Sequence, residues 1–292
     1  MRHRIEFILF QLLKWLALML PLKSAQRLGA ALGAGAYHLI GGRRRVALDN
    51  LRYAFPDKTE AERVAIAKGA FRNYGITFVE LLWFPNLKRG GIEHLFNSKT
   101  IDVLLHAVER GKGLILLMGH FGNWELTALS TGVLLGKPIY YLAQTQNNEL
   151  VDDVINKHRS LFGNMKIPMG MSVREVIRVL GQYEVIAIAG DQSAAMESAY
   201  VNFFGRNVAT HKGPAVFALK CNAPIVISVL VRQPDFRYEA IFKEVPTNDL
   251  PADRDAAVEE LTRRHTEMLE QFIRQNPDHW LWMHRRWKHV EE

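Results

Sequence analysis

The sequence predicts an α/β fold: a single domain with a largely parallel central sheet flanked by helices, preceded by amino-terminal membrane-associating helices. Three observations predict it. From about residue 98 onward, stretches with helical spacing of apolar residues alternate with short uninterrupted apolar runs, the pattern of strands covered on both faces. The segment Ile5 to Leu22 is almost continuously apolar. The chain has 292 residues, 48% of them hydrophobic and 23% charged, which suits one large domain with a sizeable core. That composition excludes a disordered chain, a collagen and a small disulfide-stapled domain. The expected division is a membrane-associating helical segment over residues 1–42 and a catalytic domain over 43–292.

The elements follow in order. In Ile5 to Leu22 the exceptions to apolarity are Glu6, Gln11, Lys14 and Pro21, and all four fall within one arc of a helix, with Arg2 near it. Such a helix is about 27 Å long, slightly short of the roughly 30 Å hydrocarbon core. Three readings stand: a helix lying in the membrane interface, a short or tilted span, and a core helix. No small-residue cleavage site follows directly, which speaks against a cleaved signal peptide. Leu28 to Ile40 is a second apolar stretch, and Gly29-x-x-x-Gly33 permits close packing, expected against the first helix. Lys23, Arg27 and Arg43 to Arg45 flank it, as basic residues do beside anionic headgroups on a cytoplasmic face. Thr59 to Trp83 reads as a helix stopped by Pro85. Beyond it, helices are expected over Ile101–Glu109, Asn123–Leu135, Glu149–Phe162, Val173–Leu180, His211–Cys221 and Asp253–Gln275. Strands are expected over Gly113–Met118, Pro138–Ala143, Val185–Ala189, Pro224–Val231 and Arg237–Val245.

Charge and cysteine usage narrow the partners. The 37 Lys+Arg against 30 Asp+Glu leave a net +7, so the surface favours anions: nucleic acid, an anionic membrane face, or an acidic carrier or substrate. One cysteine, Cys221, excludes an internal disulfide and a cysteine-based zinc site. No His/Asp/Glu cluster has metal-ligand spacing, and no nucleic-acid-binding motif claims the basic residues.

The segment that carries chemistry is Gly119-His120-Phe121-Gly122-Asn123-Trp124-Glu125, directly after the first long strand. Ligands of open α/β sheets bind beyond the carboxyl ends of strands, and His120 sits at such an end. Asn123 is a good N-cap, which places Glu125 in the first turn of the next helix. Residues five apart on one continuous helix diverge by about 140°; a turn at Gly122 removes that problem and allows the carboxylate to fold back to the imidazole. A carboxylate on one ring nitrogen fixes the tautomer and raises the basicity of the other, making a general base for a hydroxyl. The plain alternatives are a structural histidine at a strand end and a helix-capping acid.

The GHFGNWE segment resembles the H-x4-D/E motif of the glycerolipid acyltransferase superfamily, and the wider chain resembles the late (lauroyl/myristoyl) acyltransferases of lipid A biosynthesis. The resemblance runs over most of the chain: the apolar amino-terminal helix, Asp49-Asn50-Leu51 with Phe55-Pro56, Asp191-Gln192, Phe203-Phe204-Gly205, Thr210, Lys212-Gly213-Pro214, and the tail from Pro277 through His279-Trp280-Leu281-Trp282-Met283-His284-Arg285-Arg286-Trp287-Lys288. Two departures fall on the presumed acceptor side. The run Leu142 to Asn148 lacks the family's basic residue and proline, and Ser193 stands where a second Asp often follows Asp-Gln.

The resemblance implies a glycerolipid-acyltransferase-like domain that moves a fatty acyl chain from an acyl carrier protein or acyl-CoA thioester to a hydroxyl of a lipid A precursor. It implies no bound cofactor, with His120 as base and Glu125 as its partner. With Cys221 remote in sequence and no G-x-S-x-G elbow, an acyl-enzyme is not expected. Candidate substrate-binding residues are Asn123 and Trp124 beside the motif, Arg159 at a basic position of the family's second motif, and Asp191-Gln192 at a strand end. Phe204-Gly205-Arg206 follow as an acyl wall with a headgroup contact, then Thr210 and Lys212 at a helix start, and Arg286 in the basic tail. The expected setting is the cytoplasmic face of a bacterial inner membrane, with membrane lipid as acceptor. The alternatives are the same chemistry on a lysophospholipid, a phosphatidylinositol mannoside or another glycolipid, a thioesterase, and a non-catalytic lipid-binding protein.

Overall fold

The computed structural model describes the chain apart from residues 93, 171, 197 and 291–292. Four helices come first: α1 (Arg2–Met19), α2 (Leu22–Leu39), α3 (Gly41–Ala54) and α4 (Glu60–Trp83). There follow α5 (Arg89–Ile92), β1 (Phe96–Asn97), α6 (Ile101–Glu109), β2 (Leu114–Gly122), α7 (Trp124–Leu134), β3 (Tyr140–Ala143), α8 (Glu149–Arg159), β4 (Met165–Pro168), α9 (Ser172–Gly181) and β5 (Val185–Ala189). The chain ends with β6 (Ala199–Phe203), β7 (Arg206–Thr210), α10 (Gly213–Cys221), β8 (Ile225–Arg232), β9 (Tyr238–Glu244), α11 (Arg254–Gln275) and a tail.

The main sheet runs β1-β9-β8-β2-β5-β3-β4. β2 pairs in parallel with both β5 and β8, β3 with β5 and β4, and only β9 runs antiparallel to its neighbour β8. Successive strand residues serve two cores, which is why these strands are apolar runs without alternation. Ile115, Leu117, Ile186 and Ile188 face the layer of α9, α10 and α11. Leu114, Leu116, Met118 and Ala187 face α6, α7 and α8. The α/β architecture with a mostly parallel, helix-flanked sheet is therefore as expected.

α4 starts with a reciprocal capping box between Thr59 and Glu62. The small-residue seam lies between α2 and α4, which corrects the expected pairing with α1. A Cβ on Gly29 would meet the Gly75 carbonyl oxygen at 2.7 Å, one on Gly33 the Phe71 oxygen at 2.1 Å, and one on Gly75 the Gly29 oxygen at 2.2 Å. The sequence offered Gly29-x-x-x-Gly33 only a neighbour in the chain; Gly75 supplies the complementary groove.

α1 buries only Phe10 and Ala17. Asn148 and Asn86 donate to its carbonyls at His3 and Leu18, and the Trp83 indole donates to Leu20 just beyond its end. Its other face leaves Ile5, Ile8, Leu9, Leu12, Trp15, Leu16 and Met19 exposed, so it is not a core helix. No described helix is long and apolar enough to cross a membrane.

Several elements were not expected, α5 and β1 among them. β4 is four residues ending in proline, too short for a periodicity. β6 and β7 form a separate antiparallel hairpin whose turn residues are Phe204 (φ 52°) and Gly205 (φ 78°). Two left-handed residues make a tight hairpin turn, normally a task for Asn-Gly. Phe204 is held there because its amide donates to Glu270 and its ring packs against Phe55 and Trp282. The tail then runs back over the domain: Trp280, Trp282 and Trp287 are buried among Phe203 and Phe204. Asn50 donates to the carbonyls of Trp282 and His284.

Candidate active site

β2 extends four residues past the expected strand end, so His120 belongs to the strand. Its register against β8 shifts between Met118 and Gly122, a bulge that takes residues 119–121 out of the ladder before Gly122 pairs again opposite Leu230. Gly122 has φ 57°, and a Cβ there would lie 1.7 Å from the Leu230 carbonyl oxygen, so no other residue fits. Its own carbonyl accepts from the Thr77 hydroxyl at 2.9 Å. Asn123 then caps α7, its Oδ1 accepting from the Leu126 amide at 2.9 Å.

The carboxylate on His120 is Asp191. His120 Nδ1 lies 2.7 Å from Asp191 Oδ1, and the His120 backbone amide donates to Asp191 Oδ2 at 2.7 Å. The Trp280 indole donates to Oδ2 as well, at 2.8 Å. Three donors keep Asp191 ionised despite its near-complete burial. Burial opposes its charge, but the His120 imidazole and these hydrogen bonds outweigh that and lower its pKa to about 2. An ionised acceptor requires the proton on Nδ1, which leaves Nε2 as the basic nitrogen; Gln192 Nε2 lies 3.2 Å from it. Burial disfavours the imidazolium, yet Asp191, helped by Glu125, wins and raises the His120 pKa above its usual value.

Glu125 does not take up the expected bond to the imidazole. Both of its oxygens are held by Arg159, at 2.7 Å from Nε and 2.5 Å from Nη2, a bidentate geometry that a planar guanidinium favours. The Trp124 indole also donates to Glu125, at 3.2 Å, and the Trp124 ring tilts against His120 at 5.2 Å. The first turn of α7 aims the carboxylate across the cleft toward α8, and the spacing along the chain carries no information about what lies there.

A cleft of ≈ 490 Å³ opens at the carboxyl end of the sheet, and His120, Trp124, Glu125, Arg159 and Gln192 all line it. Asp191 stands behind His120. The other predicted substrate contacts lie elsewhere. Asn123 is fully buried, its amide donating to Glu80. Phe204 and Gly205 form the hairpin turn, and Arg206 lies 4.1 Å over the Tyr53 ring. Thr210 is buried and bonded to Arg286. Lys212 is exposed outside the cleft. Arg286 is 1% exposed and donates to the Ala209 carbonyl; burial lowers its pKa to about 10, with Asp191 acting against that. The basic tail thus sends one arginine into the core, where it ties the tail to β7.

The cleft also collects Tyr141, His211 and His284, none of them a candidate site residue, together with Gln146 and Ser193 from the two departures on the presumed acceptor side. His284 lay in the quoted tail and His211 beside Thr210, but neither has a local pattern that marks it as cleft-facing. Beneath the turn, Glu80 pairs with Arg232 at 3.1 Å and accepts from Asn123 and Tyr238. This buried network rigidifies the turn that carries His120.

A family model described as bacterial lipid A biosynthesis acyltransferase matches residues 1–289. The lipid A biosynthesis palmitoleoyltransferase of Escherichia coli K12 is 27% identical over 278 residues, covering 94% of this chain and 88% of that protein. The lipid A biosynthesis lauroyltransferase of the same organism is 28% identical over 286 residues, with the same coverage of both chains. A phosphatidylinositol mannoside acyltransferase of Mycolicibacterium smegmatis is 21% identical over 164 residues, covering 55% of this chain and 54% of that protein. With the family model matched over residues 1–289 and the two Escherichia coli relatives aligned over 94% of its length, the chain is an acyltransferase belonging to the bacterial lipid A biosynthesis acyltransferase family.

Proposed function

We propose that this acyltransferase moves a fatty acyl chain from an acyl carrier protein or acyl-CoA thioester to a hydroxyl of a lipid A precursor, on the cytoplasmic face of a bacterial inner membrane. The observation that carries the reading is His120, pinned through Nδ1 by a buried carboxylate while Nε2 faces a cleft of ≈ 490 Å³. The acceptor hydroxyl takes the place beside Nε2 and gives up its proton there while its oxygen attacks the thioester carbonyl. The tetrahedral intermediate collapses with cleavage of the C–S bond, and the departing sulfur takes the proton from Nε2. The Gln192 amide beside Nε2 is placed to donate to the developing oxyanion. Glu125 fixes Arg159 in the cleft wall, leaving Arg159 Nη1 for a substrate oxygen. Transfer is direct: Cys221 does not line the cleft, and the Ser193 hydroxyl donates to the Ala194 carbonyl, away from His120.

The outward apolar face of α1 supports association with the membrane surface, the helix lying in the interface with its apolar side among the lipid chains. The test is mass spectrometry of products from a panel of lipid acceptors with both donor types. The expected product is the acceptor enlarged by one ester-linked acyl group, absent with His120→Ala of unchanged circular dichroism. Near-wild-type turnover of that variant would remove the base, and thioester loss at one rate with and without acceptor would make the enzyme a thioesterase.

A further inference from the structure

A second recess lies between α3 and the tail. It measures ≈ 350 Å³ and is lined by Gly42 and Arg45 from α3, by Asp49 and Asn50 one turn on, and by Arg285 and Lys288 from the tail. Three cations from two separate segments meet there, all on exposed residues. The acid among them is engaged elsewhere, since Asp49 pairs with Arg52 at 2.8 Å. Among the described residues no carboxylate pairs with Arg45, Arg285 or Lys288. The amino end of the 14-residue α3 opens on the same side: it has no side-chain cap, and Cβ atoms at Gly41 and Gly42 would meet nothing within 4 Å. Uncapped amides and the positive end of the helix add to the three side-chain charges. Like charges gathered with no partner carboxylate among the described residues repel one another, and a dianion relieves that cost.

The recess is connected to the chemistry by what lies beside it. Arg43 donates to the Met283 carbonyl at 3.0 Å and clamps the tail between the recess and a second cavity, of ≈ 480 Å³. That cavity has apolar walls from Ala36, Ile40, Phe71 and Met283, and it shares Gln146, Gln192 and His284 with the cleft around His120. Its outer end is at Ile40, next to Leu39, which is 86% exposed. The path from the base therefore runs along an apolar arm to the exposed apolar end of α2, with a cationic recess on the other side of the clamp.

We propose that the recess formed by Arg45, Arg285 and Lys288 binds a phosphate group of the lipid acceptor while the acceptor's hydrocarbon lies in the apolar arm. This rests on the lipid-acceptor reading above. Concavity selects the occupant: a small anion fills a recess, whereas an acidic carrier protein presents a convex helix face and would need the charges on a flat or raised surface. Three donors approaching from different directions match the tetrahedral oxygens of phosphate better than a planar carboxylate.

The experiment compares wild type with Arg45→Glu and with the double variant Arg285→Glu/Lys288→Glu, in neutral detergent micelles free of anionic lipid. The probes are a phosphorylated glycolipid acceptor and the same lipid after phosphatase treatment. In both variants KM for the phosphorylated acceptor rises on the order of tenfold, as expected when charge-assisted contacts are replaced by repulsion, while the thioester donor's KM stays the same. For the dephosphorylated acceptor, wild type and variants share one KM. An unchanged KM for the phosphorylated acceptor overturns the proposal, and so does a rise confined to the donor's KM, which would make the recess a carrier dock. Failure of the underlying reading is distinct: wild type itself would then acylate neither lipid.

Discussion

At His120 two opposing effects decide the chemistry. Burial favours the neutral ring and the Asp191 carboxylate favours the charged one; the carboxylate wins, and the pKa rises. Because catalysis needs Nε2 unprotonated, kcat/KM should climb with pH through a limb centred above the usual histidine value of 6.5. Glu125 from α7 and Arg159 from α8 also face the ring, with opposite signs and paired to each other. Asp191→Asn removes the dominant anion and leaves burial opposed only by Glu125, which Arg159 counters, so the limb moves to lower pH. The plateau falls by about 10²–10⁴-fold as the ring loses its orientation and basicity. A pH profile of kcat/KM reads both effects, and a limb that stays in place would show that Asp191 does not set the base. The same pair contributes to stability. Asp191's share is present above its unfolded value of 3.8 and is lost as pH falls toward about 2; His120's share is present below 6.5 and is lost as pH rises through its raised folded value. The base was legible in the sequence because a histidine ending an apolar strand and preceding an N-cap has a fixed place. Its partner was not, because Asp191 is brought to it by the parallel register of β2 and β5, 71 residues away along the chain.

At the scale of elements, the long helices and buried strands were legible because each carries its own period, and Ile101–Glu109 and Val185–Ala189 form as their patterns predict. What is decided by contacts distant in sequence was not legible: the hairpin turn at Phe204, the short edge strand β4, and the choice of α4 as the partner of α2. The α2–α4 seam makes a prediction with opposite signs inside one helix. Gly33→Ala drives a Cβ to 2.1 Å from the Phe71 carbonyl oxygen, forcing two helix backbones apart, which should cost about 1–3 kcal/mol as overpacking does. Gly35, two residues on, has nothing within 4 Å of its Cβ position. Gly35→Ala should therefore stabilise by about 0.4–1 kcal/mol through the lost chain entropy of the unfolded state. Urea unfolding midpoints of the two variants settle it, and equal shifts in one direction would mean that α2 is not packed on α4 through its glycines.

The surface of the whole molecule joins an apolar side to a cationic one. Leu12 and Trp15 are 59% and 63% exposed on α1, while the net charge is +7. Each makes a different demand on a membrane. The cationic part attracts anionic headgroups and is screened within roughly 8 Å at physiological salt. The apolar part gains about 25 cal/mol for every Å² removed from water, independent of salt. Binding to vesicles containing anionic lipid should therefore fall as salt is raised and then level off above zero. Leu12→Glu/Trp15→Glu leaves the core intact, since both side chains project outward, but removes two of the largest apolar contacts and adds two charges repelled by the same lipids. The double variant should lose the salt-resistant remainder while keeping its thermal stability, as measured by co-sedimentation and by the unfolding midpoint. If it keeps wild-type sedimentation at high salt, α1 is not the element that inserts, and the apolar end of α2 at Leu39 and Ile40 becomes the surface that meets the lipid.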